Sequence, residues 1–88
     1  MTTVAQIRKK LEALRGLPAK VRAWRIKDGE DNLGEPAIWV WVTLDDADLS
    51  EPNRDQIRES VRAAVRNMAK PAPSWVYVRF RGASEDAA

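Results

Sequence analysis

The 88-residue sequence contains no cysteine and no histidine, and these two absences exclude several kinds of chemistry. Without cysteine the chain has no disulfide, no thiolate nucleophile and no cysteine-based zinc site. Without histidine it lacks the commonest general base and the commonest transition-metal ligand. We therefore expect a protein that is not an enzyme and that needs no metal or cofactor.

Long apolar runs are also lacking. The longest, residues 37–42, has six residues, whereas a membrane-spanning helix needs about 20. The amino-terminal residues do not show the basic patch and apolar core of a secretory signal. We expect a cytoplasmic protein with no membrane partner, and the content of alanine and arginine is compatible with a bacterial source.

Two segments have the apolar spacing of amphipathic helices. Residues 3–15 begin with a capping-box pattern, Thr3 followed by Gln6, and Gly16 supplies a stop. The second helix begins at Ser50 or at Asn53, both of which are suitable N-caps, and must end before Pro71. The apolar stripes are Val4, Ile7, Leu11 and Leu14 in the first helix and Ile57, Val61, Ala64, Val65 and Met68 in the second.

Three segments read as strands, at residues 21–27, 37–44 and 75–81, because they are rich in β-branched and aromatic residues. A loop over 28–36 joins the first two strands, and residues 70–74 form a stiff, proline-containing connector before the third. A right-handed crossover through the second helix makes the third strand parallel, beside the second or the first. The second strand is the most apolar, which favours the central position.

The predicted fold is therefore α+β, with the order helix, strand, strand, helix, strand. Both helices cover one face of a three-stranded mixed sheet, which gives a two-layer domain. We expect one such domain over residues 1–82 and a flexible tail over 83–88.

The second strand has two unlike faces, because side chains alternate along a strand. Its aliphatic residues face the helices, while Trp39, Trp41 and Thr43 face away. If Val76, Val78 and Phe80 point inward on the third strand, its other face adds Trp75, Tyr77, Arg79 and Arg81. The first strand is ambiguous. Trp24 and Ile26 point inward, leaving Arg25 and Lys27 outside, or Val21 and Ala23 point inward instead; the first arrangement buries more surface.

The sequence thus predicts an aromatic and basic sheet face that no helix covers. If half of each aromatic ring is open, the rings of Trp39, Trp41, Trp75 and Tyr77 together offer roughly 300 to 500 Å² of apolar surface. An exposed apolar patch of this size usually indicates a binding partner. The candidate binding residues are Trp39, Trp41, Trp75, Tyr77, Arg79, Arg81 and Arg25. We expect a homodimer or a protein partner on this face, single-stranded nucleic acid being the alternative. A loop or the tail folded over the rings is a third arrangement.

Charge is segregated along the chain: the net charge is +7 over residues 1–27, −8 over 28–51 and +3 over 52–88. Asp45, Asp46 and Asp48 are close enough to suggest a hard-cation site, although acids before a helix also favour its positive end. Four arginines follow one another at i+4 spacing on the second helix. Such a ridge suits phosphate or an acidic protein, whereas pairing of Arg58 with Asp55 and of Arg62 with Glu59 favours a solvated face. The ridge consists of Arg54, Arg58, Arg62 and Arg66.

The order of elements, with its apolar second strand, resembles the small ferredoxin-like cytoplasmic domain of cation diffusion facilitators over nearly the whole chain. That resemblance implies dimerisation, but it transfers no metal ligand because the sequence has no histidine. The aromatic and basic sheet face also looks like the platform of RNA-recognition motifs, although residues 75–81 lack the glycine-aromatic pattern of their RNA-binding signature. As a whole the chain is also similar to short bacterial proteins that have no assigned activity.

Overall fold

The computed structural model describes residues 2–69 and 72–86 of the chain. They form an α+β fold with three helices and one open sheet. The elements in chain order are α1 (Val4–Glu12), β1 (Val21–Glu30), β2 (Pro36–Leu44), a 3-10 helix (Asp46–Asp48), α2 (Glu51–Met68), β3 (Trp75–Gly82) and α3 (Ala83–Asp86).

The first helix begins as its sequence predicts. Thr3 accepts a hydrogen bond from the backbone of Gln6, and the Gln6 side chain accepts one from the backbone of Thr3, which completes the capping box. The helix is shorter than the predicted 3–15. It ends at Glu12, where the backbone tightens into i to i−3 hydrogen bonds from Ala13 and Leu14 before Gly16 turns with φ of 77°.

The second helix resolves the choice between two caps. Ser50 is the N-cap and accepts from the backbone N–H of Asn53, and Pro52 sits in the first turn where no donor is needed. The Asn53 side chain instead donates to the carbonyl oxygen of Asp48. The helix ends at Met68, before Pro71 as predicted. Part of the predicted connector, residues 70 and 71, lies outside the described residues.

The sheet has the predicted topology. Its order is β1-β2-β3, with β2 central, antiparallel to β1 and parallel to β3. This three-stranded α+β arrangement is compatible with a ferredoxin-like topology. Among the described residues no helix is both long and apolar enough to cross a membrane.

The first strand differs from its prediction at both ends. The predicted loop over 28–36 is shorter, because Asp28, Gly29 and Glu30 continue to pair with β2 and leave only residues 31–35 as the connection. At the other end, the register shifts between Val21 and Ala23. This β-bulge inserts one extra residue, so that Val21 and Trp24 both face the helices while Ala23 and Arg25 face away. The preferred orientation of Trp24 and Ile26 is therefore confirmed, and Val21 joins them.

The core lies between the sheet and the helices. The deepest positions include Val40, Val42 and Leu44 of β2, each with no exposed surface. Ile7 and Leu11 of α1 and the predicted stripe of α2 belong to the same apolar cluster, with Met68 at its margin. The apolar faces of α1, α2 and the three strands thus pack together on one side of the sheet.

The arginine ridge of α2 lies along β3. The predicted pair between Arg58 and Asp55 is present, with 2.8 Å between Nη1 and Oδ1, and the Arg58 guanidinium also lies 5.5 Å from the centre of the Phe80 ring. Arg62 departs from the prediction. Its Nε donates to the carbonyl oxygen of Val76 at 3.1 Å rather than pairing with Glu59. Part of the ridge therefore packs on the sheet instead of forming only a solvated face.

The residues predicted as a flexible tail begin with the short helix α3. The backbone N–H of Ser84 donates to the side chain of Asp46, which joins this helix to the 3-10 helix after β2. Gly82, just before α3, is buried against the same carboxyl group. The last two residues of the predicted tail, 87 and 88, lie outside the described residues.

Candidate functional site: the open face of the sheet

The sheet face opposite the helices, called here the open face, consists of rows that run across the three strands. Each row takes one residue from β1, one from β2 and one from β3, in the register of the sheet. Consecutive rows are about 6.6 Å apart, which is two residues of a strand. The rows are Gly29, Ala37 and Trp75; Lys27, Trp39 and Tyr77; Arg25, Trp41 and Arg79; and Ala23, Thr43 and Arg81.

The structure brings all seven candidate binding residues to this face. They belong to all three strands and lie in neighbouring rows, together with Lys27. The prediction that these residues share one face of the sheet is therefore confirmed. Its packing is more specific than alternation alone could show.

Trp39 stands between two neighbours. On the β3 side its ring stacks on Tyr77, with ring centres 5.6 Å apart and planes 17° from parallel. On the β1 side the ammonium of Lys27 lies 5.8 Å from the centre of the Trp39 ring. Both faces of the Trp39 ring are therefore covered by side chains of the protein itself.

Trp41 has a similar arrangement one row further along. The guanidinium of Arg25 lies 5.5 Å from the centre of its ring, a distance at which a cation is attracted to the π face. Arg79 is its register partner on β3. Thr43, in the last row, is buried. The middle of the open face is thus a set of cations and indole rings that order one another.

The apolar area is smaller than the sequence suggests. Trp39, Trp41 and Tyr77 are only partly exposed, because side chains from neighbouring strands cover their rings. Trp75 is 51% exposed, since its own row contains only Gly29 and Ala37 beside it. The face is nevertheless not covered by a loop or by the described part of the tail, as Arg25, Lys27, Trp75 and Arg79 are all exposed.

A groove lies at the Trp75 end of the open face. One wall is the connection between β1 and β2, and the other is the beginning of β3. Leu33, at the tip of the connection, is 85% exposed. Among the described residues, Leu33 and Trp75 are the two large hydrophobic residues that are exposed. The groove is lined by Glu30, Asp31, Asn32, Leu33, Trp39, Trp75, Tyr77 and Arg79.

The connection that carries Leu33 is held in one conformation by hydrogen bonds. The Asp31 carboxylate accepts from the backbone N–H groups of Leu33 and Glu35, at 2.9 and 3.0 Å. Gly34 allows the chain to reverse with φ of 75°. The side chain of Ser74 donates to Glu35, and its backbone N–H donates to the carbonyl oxygen of Pro36, so the two walls of the groove are joined.

Leu33 and its acidic neighbours Glu30 and Asp31 are site residues that the sequence did not indicate. A weak signal exists, because Leu33 is the one large apolar residue in an otherwise polar connection. Sequence alone does not show that this connection bends beside Trp75, since the two are 42 positions apart in the chain.

The acids at the opposite end of β2 have internal partners. Asp45 forms a two-point contact with Arg22, the extra residue of the β-bulge, at 2.9 Å from Nε and 3.0 Å from Nη2. The hydrogen bond from Arg22, with its positive charge, holds the pKa of the Asp45 carboxyl below its usual value. The same contact raises the pKa of the Arg22 guanidinium. Asp46 accepts from the backbone of Ser84.

The described residues contain no cluster of three or more acidic side chains placed to hold a metal ion. The three aspartates that suggested a hard-cation site do not converge. Asp45 is directed toward Arg22 and Asp46 toward α3.

Comparison with known proteins gives no match to a family model, to a curated protein or to a solved structure.

Proposed function

We propose that this protein is a non-enzymatic binding module whose open face binds an acidic segment of a partner protein. The observation that carries the proposal is the pattern of the middle rows, where Arg25, Lys27 and Arg79 flank the rings of Trp39 and Trp41. Arginine and tryptophan are the residue types most often found at binding hot spots. Here their side chains are already ordered by mutual contacts, so binding would cost little additional entropy.

A non-enzymatic role rests on the sequence. The chain has neither histidine nor cysteine, and the groups on the open face are mainly cations and aromatic rings. Such groups bind and orient anions, whereas proton transfer near neutral pH needs a group that titrates there. We propose a cytoplasmic and bacterial setting for this module.

The charge of the open face favours an acidic partner over a second copy of the chain. Two open faces stacked on each other would bring the same four cations of each copy together, and like charges placed in opposition disfavour a complex. The cations concerned are Arg25, Lys27, Arg79 and Arg81. An acidic segment instead gains attraction from all four.

Single-stranded nucleic acid is a second candidate, and the exposed ring of Trp75 is the observation that favours it. A base could stack on that ring while Arg79 contacts a phosphate. However, sequence-tolerant binding of single strands uses several open rings, and both faces of Trp39 are occupied by Lys27 and Tyr77. The acidic protein segment therefore fits the open face better.

Binding of two labelled anions at low salt tests the proposal. Fluorescence anisotropy would follow poly-L-glutamate and an oligothymidylate, with wild-type protein and two double variants of equal net charge. One variant, Arg25→Glu with Arg79→Glu, reverses charge on the open face. The other, Arg8→Glu with Arg66→Glu, reverses two exposed charges on the helices.

We expect poly-L-glutamate to bind more tightly than the oligothymidylate. We also expect the open-face variant to lose this binding and the helix variant to keep most of it. Equal losses in the two variants would mean that only net charge matters, and the open face would then not be the site. Tighter binding of the oligothymidylate, lost in the open-face variant alone, would favour the second candidate.

A further inference from the structure

The groove between the β1–β2 connection and the beginning of β3 has a different character from the middle of the open face. It contains two exposed apolar side chains, those of Leu33 and Trp75. The cations of β3 begin at the edge of the groove with Arg79 and continue to Arg81, four and six residues beyond Trp75. At about 3.3 Å per residue, these separations are about 13 and 20 Å along the strand.

From this arrangement we infer that the groove is an anchor pocket for one large apolar side chain of the acidic partner segment. The acidic residues of that segment would then lie along β3 toward Arg79 and Arg81. This inference rests on the proposed function, because it assigns the order of residues within the partner that the open face binds.

The fixed conformation of the connection supports an anchor pocket. The side chain of Leu33 is 85% exposed, and exposing an apolar side chain to water is unfavourable. The turn nevertheless holds Leu33 in this position, because the Asp31 carboxylate accepts two backbone hydrogen bonds and Gly34 completes the reversal. Ser74 joins this turn to the beginning of β3. A preformed groove that presents Leu33 and Trp75 loses little freedom when a side chain enters it.

The charges around the groove give the partner segment a direction. Glu30 and Asp31 line the groove on the side of the connection, while Arg79 lines it on the side of β3. An acidic residue beside the anchor is therefore repelled at the connection and attracted along β3. The complementary segment has its apolar anchor at one end and acidic residues about four and six positions away, which matches the spacing of Trp75, Arg79 and Arg81.

Synthetic peptides test the inference directly. The anchored peptide has one phenylalanine, glutamates four and six residues further on, and serine and glycine elsewhere. The unanchored peptide has serine in place of phenylalanine. Both are also made in reverse order, because an extended chain can lie parallel or antiparallel to β3. Binding to the wild type, Leu33→Ser and Leu33→Met proteins is measured by anisotropy of a terminal fluorophore.

We expect the wild type to prefer the anchored peptide, in at least one of the two orders, by about tenfold. Leu33→Ser should lose this preference while binding the unanchored peptide as before, and Leu33→Met should keep it. Leu33 is exposed and none of its side-chain atoms is part of the core, so neither variant should impair folding.

Two results would overturn the anchor pocket and leave the proposed function standing. One is equal binding of the anchored and unanchored peptides, with both lost in the Arg25→Glu, Arg79→Glu protein. The other is a preference for the anchored peptide that persists in Leu33→Ser. Failure of every peptide to bind would overturn the proposed function together with the pocket. A twofold molecular mass that falls when Leu33 is replaced by serine would identify a second copy as the occupant instead.

Discussion

At the residue scale, the open face contains tryptophans in two contrasting environments. Trp39 lies between Lys27 and Tyr77, and its ring stabilises both neighbours. Trp75 is half exposed and has only Gly29 and Ala37 in its row. Trp39 is therefore part of the packing of the face, whereas about half of the Trp75 side chain is open to solvent.

Replacing each of these tryptophans by alanine should separate the two roles. Trp39→Ala removes an aromatic pair and a cation–π contact, and we expect the free energy of unfolding to fall by about 2 kcal/mol. Trp75→Ala should change it by no more than about 0.5 kcal/mol, as is usual for exposed positions. Urea unfolding followed by circular dichroism measures both. Equal losses of stability would show that the two rings are equally engaged in the fold.

The contact between Arg22 and Asp45 gives a prediction about pH. Because the hydrogen bond from Arg22 lowers the pKa of Asp45 in the folded protein, the contact stabilises the fold above the unfolded pKa, about 3.9. That stabilisation is lost as the pH falls through the lower, folded pKa. In Arg22→Gln we expect the Asp45 carboxyl to titrate nearer its ordinary value, which NMR of the side-chain carboxyl carbon can measure.

The difference in stability between the wild type and Arg22→Gln should accordingly be present near neutral pH and shrink below about pH 4. Unfolding by urea at several pH values checks this. An Asp45 pKa that is the same in both proteins would contradict the two-point contact.

At the element scale, β3 is an edge strand, and an edge strand exposes backbone groups to which another chain can add. Arg62 of α2 occupies one of these groups by donating to the carbonyl oxygen of Val76. The guanidinium of Arg58 packs on Phe80 nearby. The arginine ridge therefore protects the edge of the sheet as well as solvating the helix.

Arg62→Met should expose this edge while keeping most of the side-chain volume. We expect about 1 kcal/mol of lost stability, from the hydrogen bond, and faster aggregation on storage. Arg66→Met, an exposed position one turn further along the same helix, is the matched control and should remain within about 0.5 kcal/mol of the wild type. Unfolding curves measure the loss of stability in each variant, and light scattering measures how fast each variant aggregates. If they behave alike, Arg62 does not guard the strand.

Local sequence patterns were sufficient to predict most elements of the fold. The capping box at Thr3, the cap at Ser50 and the alternation of β2 each depend on neighbouring residues, and each is confirmed. The bulge after Val21 was not predictable, because it depends on how β1 and β2 align. The pairing of Asp28 and Gly29 was missed for a related reason: turn-forming residues can pair in a strand when the partner strand extends that far.

The same distinction applies to the candidate site. Alternation along β2 and β3 correctly placed the aromatic and basic residues on one face. It could not show that Trp39 would be enclosed by Lys27 and Tyr77, because that depends on register across three strands. Nor could it bring Leu33 close to Trp75. The exposed area was therefore overestimated, and the groove was missed.

At the scale of the whole molecule, charge is distributed unevenly around the sheet. Cations occupy the open face, while acids occupy the connections at both ends of β2. Repulsion between two open faces should keep the chain monomeric at low ionic strength. We expect light scattering to give a mass near 9.9 kDa under these conditions. A dimer that persists at low salt and dissociates in the Trp75→Ala variant would contradict this expectation.

The most direct test of binding at the open face is the NMR spectrum of the four tryptophan indole N–H groups during a titration with poly-L-glutamate. Trp24 faces the helices and serves as an internal control, since Trp39, Trp41 and Trp75 lie on the other side of the same sheet. We predict that the signals of Trp75, Trp39 and Trp41 shift progressively while that of Trp24 stays in place. A titration in which Trp24 shifts as much as the other three, or in which no signal moves, would contradict the proposal that this face is the binding surface.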